Sequence, residues 1–529
     1  MTSWAKKFHT FGAGLRTAAV EWKLRQKHGA PEAQQRVYRK LIDRLAAGSF
    51  WREAGVVPGM SYDSFAARVA PRGYEQLELA IGRMTRGEAD VLWPGRCELF
   101  AVSPGTSGVQ RKYLPVTEEM LAHFRQAGLD ALLYYAVRVR HAGVFRGRHL
   151  HLGGHHPLAP IAGASPPVSH AGDISSITAL NLPGWVETHL YEPGPAIAQM
   201  TDWQEKLEAM VARTAGLDLT MISGIPGWVL NFAATVRELA ARQQRRITHL
   251  QEIWPNLECY VHSGVPMGPF EDELRMVLGP TVSFHEVYSA SEGWVAAQDI
   301  HAAAGLRLMA DAGIFFEFLP MSQFDETRLE QLGPKVVPLD GVKTGVDYAL
   351  LLTTPAGLAR YVIGDVVRFV STEPPRLVYV GRTNLLLNAF GEQVIERDVT
   401  DALRVVCARH NWRAVNFHVA PLAGNSLAGQ DRRRHEWWIE LQAGTVATPI
   451  GPQLAVELDT ELQRLNADYA ARRKGGAMEG PFVRLVMPGV FQHWLTYHGQ
   501  WGGQHKMPRC RSDRIIADEL AQVTHFAVD

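Results

Sequence analysis

The chain has 529 residues, too many for one core, so two or more domains are expected. Its 46% hydrophobic and 20% charged content is that of an ordinary soluble protein. Lysine plus arginine equals aspartate plus glutamate, 54 each, so no bulk charge draws it to nucleic acid or a membrane surface.

The N-terminal run carries Lys6, Lys7, Arg16, Lys23, Arg25 and Lys27 against one acid, Glu21. No secretory apolar core or cleavage site follows, so an amphipathic first helix is expected rather than a targeting segment. Residues 1–90 read as helical, with Tyr38, Leu41 and Leu45 at helical spacing. From Arg96 to about Val370, strand-like and helical runs alternate, the pattern of an α/β domain. "FFEFLP" (Phe315–Pro320) and "YALLLTT" (Tyr348–Thr354) are predicted strands, and "NFAATVRELA" is a predicted helix with Phe232, Val236 and Leu239 on one face. "STEPPRL" is a turn before the strand "LVYVGR", which ends at Arg382.

Beyond Arg382 the organisation changes. A helix with Val399, Ala402, Leu403 and Val406 on one stripe precedes the strands "AVNFHV" and "EWWIEL". A second helix carries Leu454, Leu458, Leu462, Leu465 and Tyr469 and stops at Gly475-Gly476. "FVRLVM" is another strand. This α-β-β-α-β order predicts a small α+β domain of about 150 residues, with the boundary near Asn384. The domains are therefore taken as 1–383 and 384–529.

No apolar run reaches membrane-spanning length. Cys97, Cys259, Cys407 and Cys510 lie far apart, with neither zinc-site nor disulfide spacing. Scattered thiols fit a reducing compartment, so a cytoplasmic protein is expected.

Five stretches carry chemistry. "SPGTSGVQRKYLP" (Ser103–Pro115) places glycines, hydroxyls and a cationic pair after an apolar strand. Glycine-rich backbone and hydroxyls surround phosphate oxygens well, although alone the stretch also fits a surface turn. It is neither a Walker A motif nor a hydrolase elbow. "EVYSASEGW" (Glu286–Trp294) offers an aromatic ring for a base, a hydroxyl for a phosphate and a hard oxygen for magnesium; a strand end with a solvated glutamate fits it too. "ARYVIGDVVRF" (Ala359–Phe369) puts a carboxylate after a strand, at a turn, where it suits a ribose diol or fixes its own turn. "GRTN" sits at the proposed domain boundary. "HGQWGGQHKMPRC" (His498–Cys510) carries Lys506 among glycines, a segment suited to delivering a charge. The histidines of "RHLHLGGHH" (His149, His151, His155, His156) alternate with leucines as on a half-exposed strand, so structural roles are expected, and Trp437-Trp438 reads as core.

In this order the stretches resemble the adenylate-forming superfamily of acyl-CoA synthetases, peptide-synthetase adenylation domains and luciferases. A nearer resemblance is to the Gretchen Hagen family of auxin-responsive acyl acid amido synthetases, as a bacterial-type member. It is carried along nearly the whole chain by "SYDSFAARV", "YEQLELAI", "VLWP", "ISGIPGWVLNF", "IWPNLECYVHSG", "YSASEGW", "FFEFLP", "YVIGD" and "GQHKMPRC". Two positions depart from the pattern. Pro104 replaces the second serine of the usual Ser-Ser-Gly loop, removing a backbone donor and a hydroxyl, and Asn384 stands where the superfamily hinge is usually acidic.

The resemblance implies a large N-terminal α/β adenylation domain and a smaller, mobile α+β domain carrying the catalytic lysine, with the active site between them. It implies an ATP-dependent, AMP-forming ligase that joins a small-molecule carboxylic acid to an amine, an amino acid in this family, with ATP and Mg²⁺ and with neither nucleic acid nor membrane as partner. Ser103, Gly105, Thr106, Ser107, Arg111 and Lys112 would hold the β and γ phosphates. Gly264, Val265 and Pro266 would line the adenine edge, Tyr288 its face, and Ser291 the α-phosphate. Glu292 would be the magnesium ligand, Asp365 the ribose ligand with Arg382 nearby, and Lys506 the catalytic cation. Trp228, Val229 and Trp294 are candidate walls of the acyl pocket. Alternatives are thioester formation with CoA, transfer to a separate carrier, for which the few residues after Lys506 leave no room in cis, and a nucleotide-binding homologue whose catalysis has lapsed.

Overall fold

The computed structural model describes residues 3–525 except 27, 104–111, 154–157, 162, 164–167, 265–266, 268–269, 384, 388, 391, 393, 426–430, 443–450 and 499–506. Two compact units emerge, one of Met1–Ile363 with Val367–Tyr379, the other of Gly364–Val366 with Val380–Asp529. The crossing at Tyr379–Val380 lies four residues before the expected boundary. Gly364–Val366 joins the smaller unit because its strand, Tyr361–Thr372, neighbours Pro375–Arg382, and Thr383 N–H donates to the Gly364 carbonyl at 2.8 Å.

The larger unit begins with helices. Along Ala30–Leu45 the predicted stripe of Tyr38, Leu41 and Leu45 is buried with Val37 and Ile42. Five short strands then pair in parallel. Ser283–Ala290, Cys259–His262, Leu219–Ser223, Arg148–His151 and Tyr191–Glu192 lie side by side in that order. From Ser283–Ala290 the sheet continues through Gly293–Ala297 and Leu306–Leu308, both antiparallel to their neighbours. The predicted strands "FFEFLP" and "YALLLTT" are Phe315–Pro320 and Asp347–Thr353, paired antiparallel.

Parallel strands need helical crossovers, which cover both faces. On one face Leu150, Ile222 and Tyr260 pack against Val229, Phe232 and Val236 of the helix Pro226–Arg242. On the other, Met221, Cys259 and Val287 pack against Ala127, Ala131 and Tyr134 of the helix Glu118–Val139. Thr117 fixes the start of that second helix, its hydroxyl accepting from Met120 N–H and donating to the Pro355 carbonyl. This burial corrects one expectation. His149 and Leu150 are both buried on strand Arg148–His151, because polar–apolar alternation marks a half-exposed strand only where one face is open.

The smaller unit is built on the strands Ala414–Asn425, Asp431–Leu441 and Phe482–Val486, the first pair antiparallel and the second parallel. Trp437 and Trp438, adjacent in sequence, point to opposite faces. Trp437 packs with Val399, Leu403 and Val406 of the helix Glu396–Arg409 and Leu458 of Gly451–Leu465, and Trp438 with Phe491, Trp494 and Leu520. Three expectations are corrected. The predicted second helix is two, Gly451–Leu465 and Ala467–Lys474, because the Asn466 side chain caps the latter by accepting from Tyr469 N–H. The order continues past the last strand with the helices Val490–Tyr497 and Ile515–His525, whose apolar stripes cover the Trp438 face. Asp365 is not at a turn. Gly364, at φ 87°, bends strand Tyr361–Thr372 without ending it.

Candidate functional site

The hydroxyl-rich stretch joins two antiparallel strands, Leu99–Ser103 and Lys112–Val116, whose last register pair is Ser103 with Lys112. Gly105, Thr106, Ser107 and Arg111 lie outside the described residues, as does Pro104, and Ser103 is described by its backbone alone. Lys112 is half-buried with its Nζ 5.5 Å from the centre of the Tyr74 ring. The Tyr74 hydroxyl accepts from Tyr113 N–H at 3.0 Å, holding the start of the second strand beside the loop. Ala101 pairs with Leu114 and Phe100 with Pro115, and Phe100, Ala101, Leu114 and Val116 are all buried in the same core cluster.

The parallel strand Cys259–His262 ends at the predicted adenine-edge segment. Gly264 is exposed at φ 78°, a left-handed turn that glycine adopts without strain. Val265 and Pro266 lie outside the described residues.

Strands Ser283–Ala290 and Gly293–Ala297 pair so that Ala290 faces Gly293, leaving Ser291–Glu292 as a two-residue hairpin turn. Both are half-buried. Tyr288, on the same strand, is buried and meets the Tyr379 ring edge-on at 5.8 Å. Gly293 has φ 143°, and a Cβ there would overlap Ile314 Cδ1 and crowd His123 and Met120. Trp294 is half-buried against the clusters around the helix Glu118–Val139, and its backbone N–H donates to His123 Nε2 at 2.9 Å. Trp228 and Val229 belong to the cluster on the other face of the sheet, with Phe232 and Trp254, so the structure does not gather the three candidate acyl walls in one cluster.

In the smaller unit Asp365 Oδ1 lies 3.3 Å from Arg382 Nε. Asp365 is 8% exposed and the Arg382 side chain 42%, so a buried carboxylate is held under a partly solvated cation. Asn384 and Gly391 lie outside the described residues, and so does Lys506. Both flanks of Lys506 are tied into the smaller unit. His498 closes the helix Val490–Tyr497 through a bond to the Trp494 carbonyl at 2.9 Å. On the other side Met507 is buried, and His418 Nδ1 bonds the Pro508 carbonyl at 2.7 Å.

Among the described residues no three histidines, cysteines or carboxylates form a group that fits a metal ion. A magnesium ion carried in on nucleotide phosphates needs only one or two protein carboxylates, and the half-buried Glu292 at a hairpin tip fits that donor set. The histidine strand is no metal site where it is described. His149 Nε2 bonds the Val144 carbonyl at 2.9 Å and His151 Nδ1 bonds Ser223 Oγ at 2.7 Å. Burial pushes His149 down to about 4 and His151 to about 3, keeping both neutral. His155 and His156 lie outside the described residues. Sequence reasoning did not single out His123, nor the fully buried Glu392–His435 pair at 3.0 Å. Burial drives the Glu392 carboxyl up, but the His435 hydrogen bond and charge hold it below its ordinary value.

Three family models match the chain in order: the GH3 family N-terminal domain over residues 21–282, its central domain over 307–382 and its C-terminal domain over 397–515. The jasmonoyl–L-amino acid synthetase JAR4 of Nicotiana attenuata is 28% identical over 273 residues, covering 49% of this chain and 45% of the relative. The chain thus spans less than half of that relative's length. The probable indole-3-acetic acid-amido synthetase GH3.2 of Oryza sativa subsp. japonica is 22% identical over 93% of this chain and 90% of its own. The fold is that of the GH3.15 acyl acid amido synthetase solved with 2,4-DB, at a TM-score of 0.73 and 17% identity over 96% of this chain and 95% of that one. No helix among the described residues is long and apolar enough to cross a membrane.

Proposed function

The chain belongs to the GH3 family, and we propose that it is an ATP-dependent acyl acid amido synthetase that joins a small carboxylic acid to an amino acid. The observation that carries this is the Ser291–Glu292 hairpin tip, a half-buried hydroxyl and carboxylate on the strand pair that bears Tyr288.

The first half-reaction is attack by the acid's carboxylate oxygen on the α-phosphorus of ATP. An O–P bond forms, the bond to the bridging oxygen breaks, and pyrophosphate leaves. No general base is needed, because a carboxylate is already ionised at neutral pH. The demand is for alignment and for charge stabilisation at phosphorus. Ser103, Gly105, Thr106, Ser107, Arg111 and Lys112 hold the terminal phosphates, and Ser291 touches the α-phosphate. Tyr288 packs on adenine, with Gly264, Val265 and Pro266 along its edge. Asp365 accepts from the ribose hydroxyls, oriented by Arg382. Lys506 stabilises the phosphoryl transition state. Glu292 would hold Mg²⁺, which when bound would neutralise charge on the phosphate oxygens.

In the second half-reaction the amine nitrogen attacks the acyl carbonyl carbon. A C–N bond forms, the C–O bond to phosphate breaks, the amine loses a proton and AMP leaves. Trp294, beside Glu292, is the favoured acyl wall, since Val229 is fully buried in the cluster on the other face of the sheet and Trp228 nearly so.

An amine is favoured over CoA, whose phosphates need a further basic surface. The nearest basic runs are Arg242–Arg246 and Arg432–Arg434. Arg242 already pairs with Glu238, and Arg434 with Glu479. The names of the relatives supply the same acceptor class. The test supplies ATP, pooled carboxylic acids, and either CoA or mixed amino acids, with products identified by mass. An amide is expected. A thioester with CoA and no amide with any amino acid would make the protein an acyl-CoA ligase, and no acid-dependent pyrophosphate release at all would make it a lapsed nucleotide-binding homologue.

A further inference from the structure

His123 lies on the helix Glu118–Val139 and is 4% exposed. Its two ring nitrogens have partners of opposite kind. Nδ1 is 2.5 Å from the Ala312 carbonyl oxygen, which can only accept, and Nε2 is 2.9 Å from Trp294 N–H, which can only donate. The imidazole is therefore neutral, with its proton on Nδ1 and its lone pair on Nε2.

Each partner is itself constrained. Ala312 lies in the segment Ala310–Ile314, which is tied at both ends by one buried side chain. Gln34 Nε2 donates to the Ala310 carbonyl at 2.6 Å and to the Ile314 carbonyl at 2.9 Å, and its Oε1 accepts from Phe316 N–H at 2.7 Å. On the other side, the hairpin ladder shifts register between Trp294 and Ala296. At that irregularity His123 supplies the acceptor for the Trp294 N–H. Gly293 allows the approach, because a Cβ at that residue would meet Ile314, His123 and Met120 together. Gln34 thus pins the segment Ala310–Ile314, whose Ala312 carbonyl accepts from His123, and His123 in turn holds the Trp294 backbone two residues from Glu292.

We propose that His123 is a positioning residue for adenylation, orienting the Ser291–Glu292 turn and the Trp294 side chain through the Trp294 N–H. This rests on the amido-synthetase reading of the turn. The role asks no contact of His123 with nucleotide or acid. Its effect passes through the backbone of the hairpin, as an outer partner of a metal ligand acts.

Three variants separate the two bonds. In His123→Gln the side-chain oxygen can reach the place of Nε2 and still accept from Trp294 N–H. In His123→Asn the amide can reach only the place of Nδ1, keeping the Ala312 bond and losing the other. His123→Leu loses both. Two readouts are taken on protein shown to be folded by circular dichroism: acid-dependent pyrophosphate exchange, and the Mg²⁺ dependence of ATP affinity by calorimetry. His123→Asn and His123→Leu are expected to lower exchange turnover by about 10–100-fold, the usual range for an outer partner of a metal ligand, and to raise the Mg²⁺ needed for tight ATP binding. His123→Gln is expected to keep most of both. Should the leucine variant fail to fold, the contrast between glutamine and asparagine decides. Wild-type turnover and Mg²⁺ dependence in folded His123→Asn would overturn the proposal, as would equal losses in the glutamine and asparagine variants. An inactive wild type would refute the amido-synthetase reading instead, while the calorimetric comparison would still judge His123.

Discussion

The most exacting test of the larger unit is its buried ion pair. Glu317 and Arg360 are both fully buried, with Arg360 Nε 3.0 Å from Glu317 Oε1. The same carboxylate oxygen accepts from the Tyr62 hydroxyl at 2.9 Å. The guanidinium also donates to the Ala66 and Val69 carbonyls, each at 2.8 Å, and to the Gly333 carbonyl at 3.3 Å. One arginine thus satisfies the end of the helix Tyr62–Arg68 and a turn far along the chain. Glu317→Leu leaves the guanidinium with carbonyl partners but no counter-charge, which should cost about 3–5 kcal/mol. Arg360→Met leaves a carboxylate without its counter-charge and takes the guanidinium donor from the Ala66, Val69 and Gly333 carbonyls, of which Gly333 keeps a bond from Val336 N–H, and should cost at least as much. The double variant removes both stranded charges but still loses three charge-assisted carbonyl bonds, each worth about 1.5 kcal/mol. It should therefore remain about 4–5 kcal/mol below wild type, short of the sum of the single losses. Urea unfolding of all four proteins, followed by a probe confined to the larger unit, measures the cycle. Coupling smaller than about 0.5 kcal/mol, the scatter of independent sites, would refute the argument.

Other outcomes follow from the site and from the buried histidines. Asp365→Ala should weaken ATP binding in calorimetry by about 3 kcal/mol, since two hydrogen bonds to a charged acceptor are lost, and undiminished affinity would remove Asp365 from the ribose site. Lys506→Ala should lower acid-dependent pyrophosphate exchange by about 10²–10³-fold with ATP binding retained, and unchanged exchange would sink its catalytic role. Burial pushes His149 and His262 down to about 4 and His151 and His285 to about 3, from an ordinary 6.5. The unfolded chain then binds more protons than the fold, so stability is full above pH 6.5 and falls as pH drops toward 4, by about 1.4 kcal/mol per histidine per pH unit. Asp130, Glu258, Glu286 and Glu317, which burial pushes up, act in the opposite sense as pH falls from their raised values toward the ordinary carboxylate range near 4. The melting temperature of the larger unit should therefore drop between pH 7 and 5.5, and a flat profile would contradict the buried neutral histidines.

What could be read from the sequence was what is local in it. The strand Phe315–Pro320, the stripe on Glu396–Arg409 and the opposed tryptophans of "EWWIEL" follow from spacing alone, and the family motifs are contiguous runs. The misses are long-range or depend on one dihedral angle. A single left-handed glycine lets strand Tyr361–Thr372 bend at Gly364 and continue, where Gly-Asp suggested a turn. Asn466 splits a helix whose apolar stripe is otherwise unbroken. His123 and Trp294 are 171 residues apart, and Gln34 and Ala310 are 276 apart, so no window of sequence contains both partners. Yet the buried polar groups left a trace. "FFEFLP" carries a glutamate inside a run too apolar to have an exposed face, and "GLARYVIGD" carries an arginine in the same way. A charge in a strand buried on both faces must be paired or strongly perturbed. Glu317 on its buried strand and Arg360 in the buried bend just before strand Tyr361–Thr372 are two such violations of opposite sign, and they meet. The same argument extends to histidine, whose neutral ring satisfies a donor and an acceptor at once. A lone histidine amid the apolar stripe of Glu118–Val139 thus marks a place where two distant backbone groups, one of each kind, must meet.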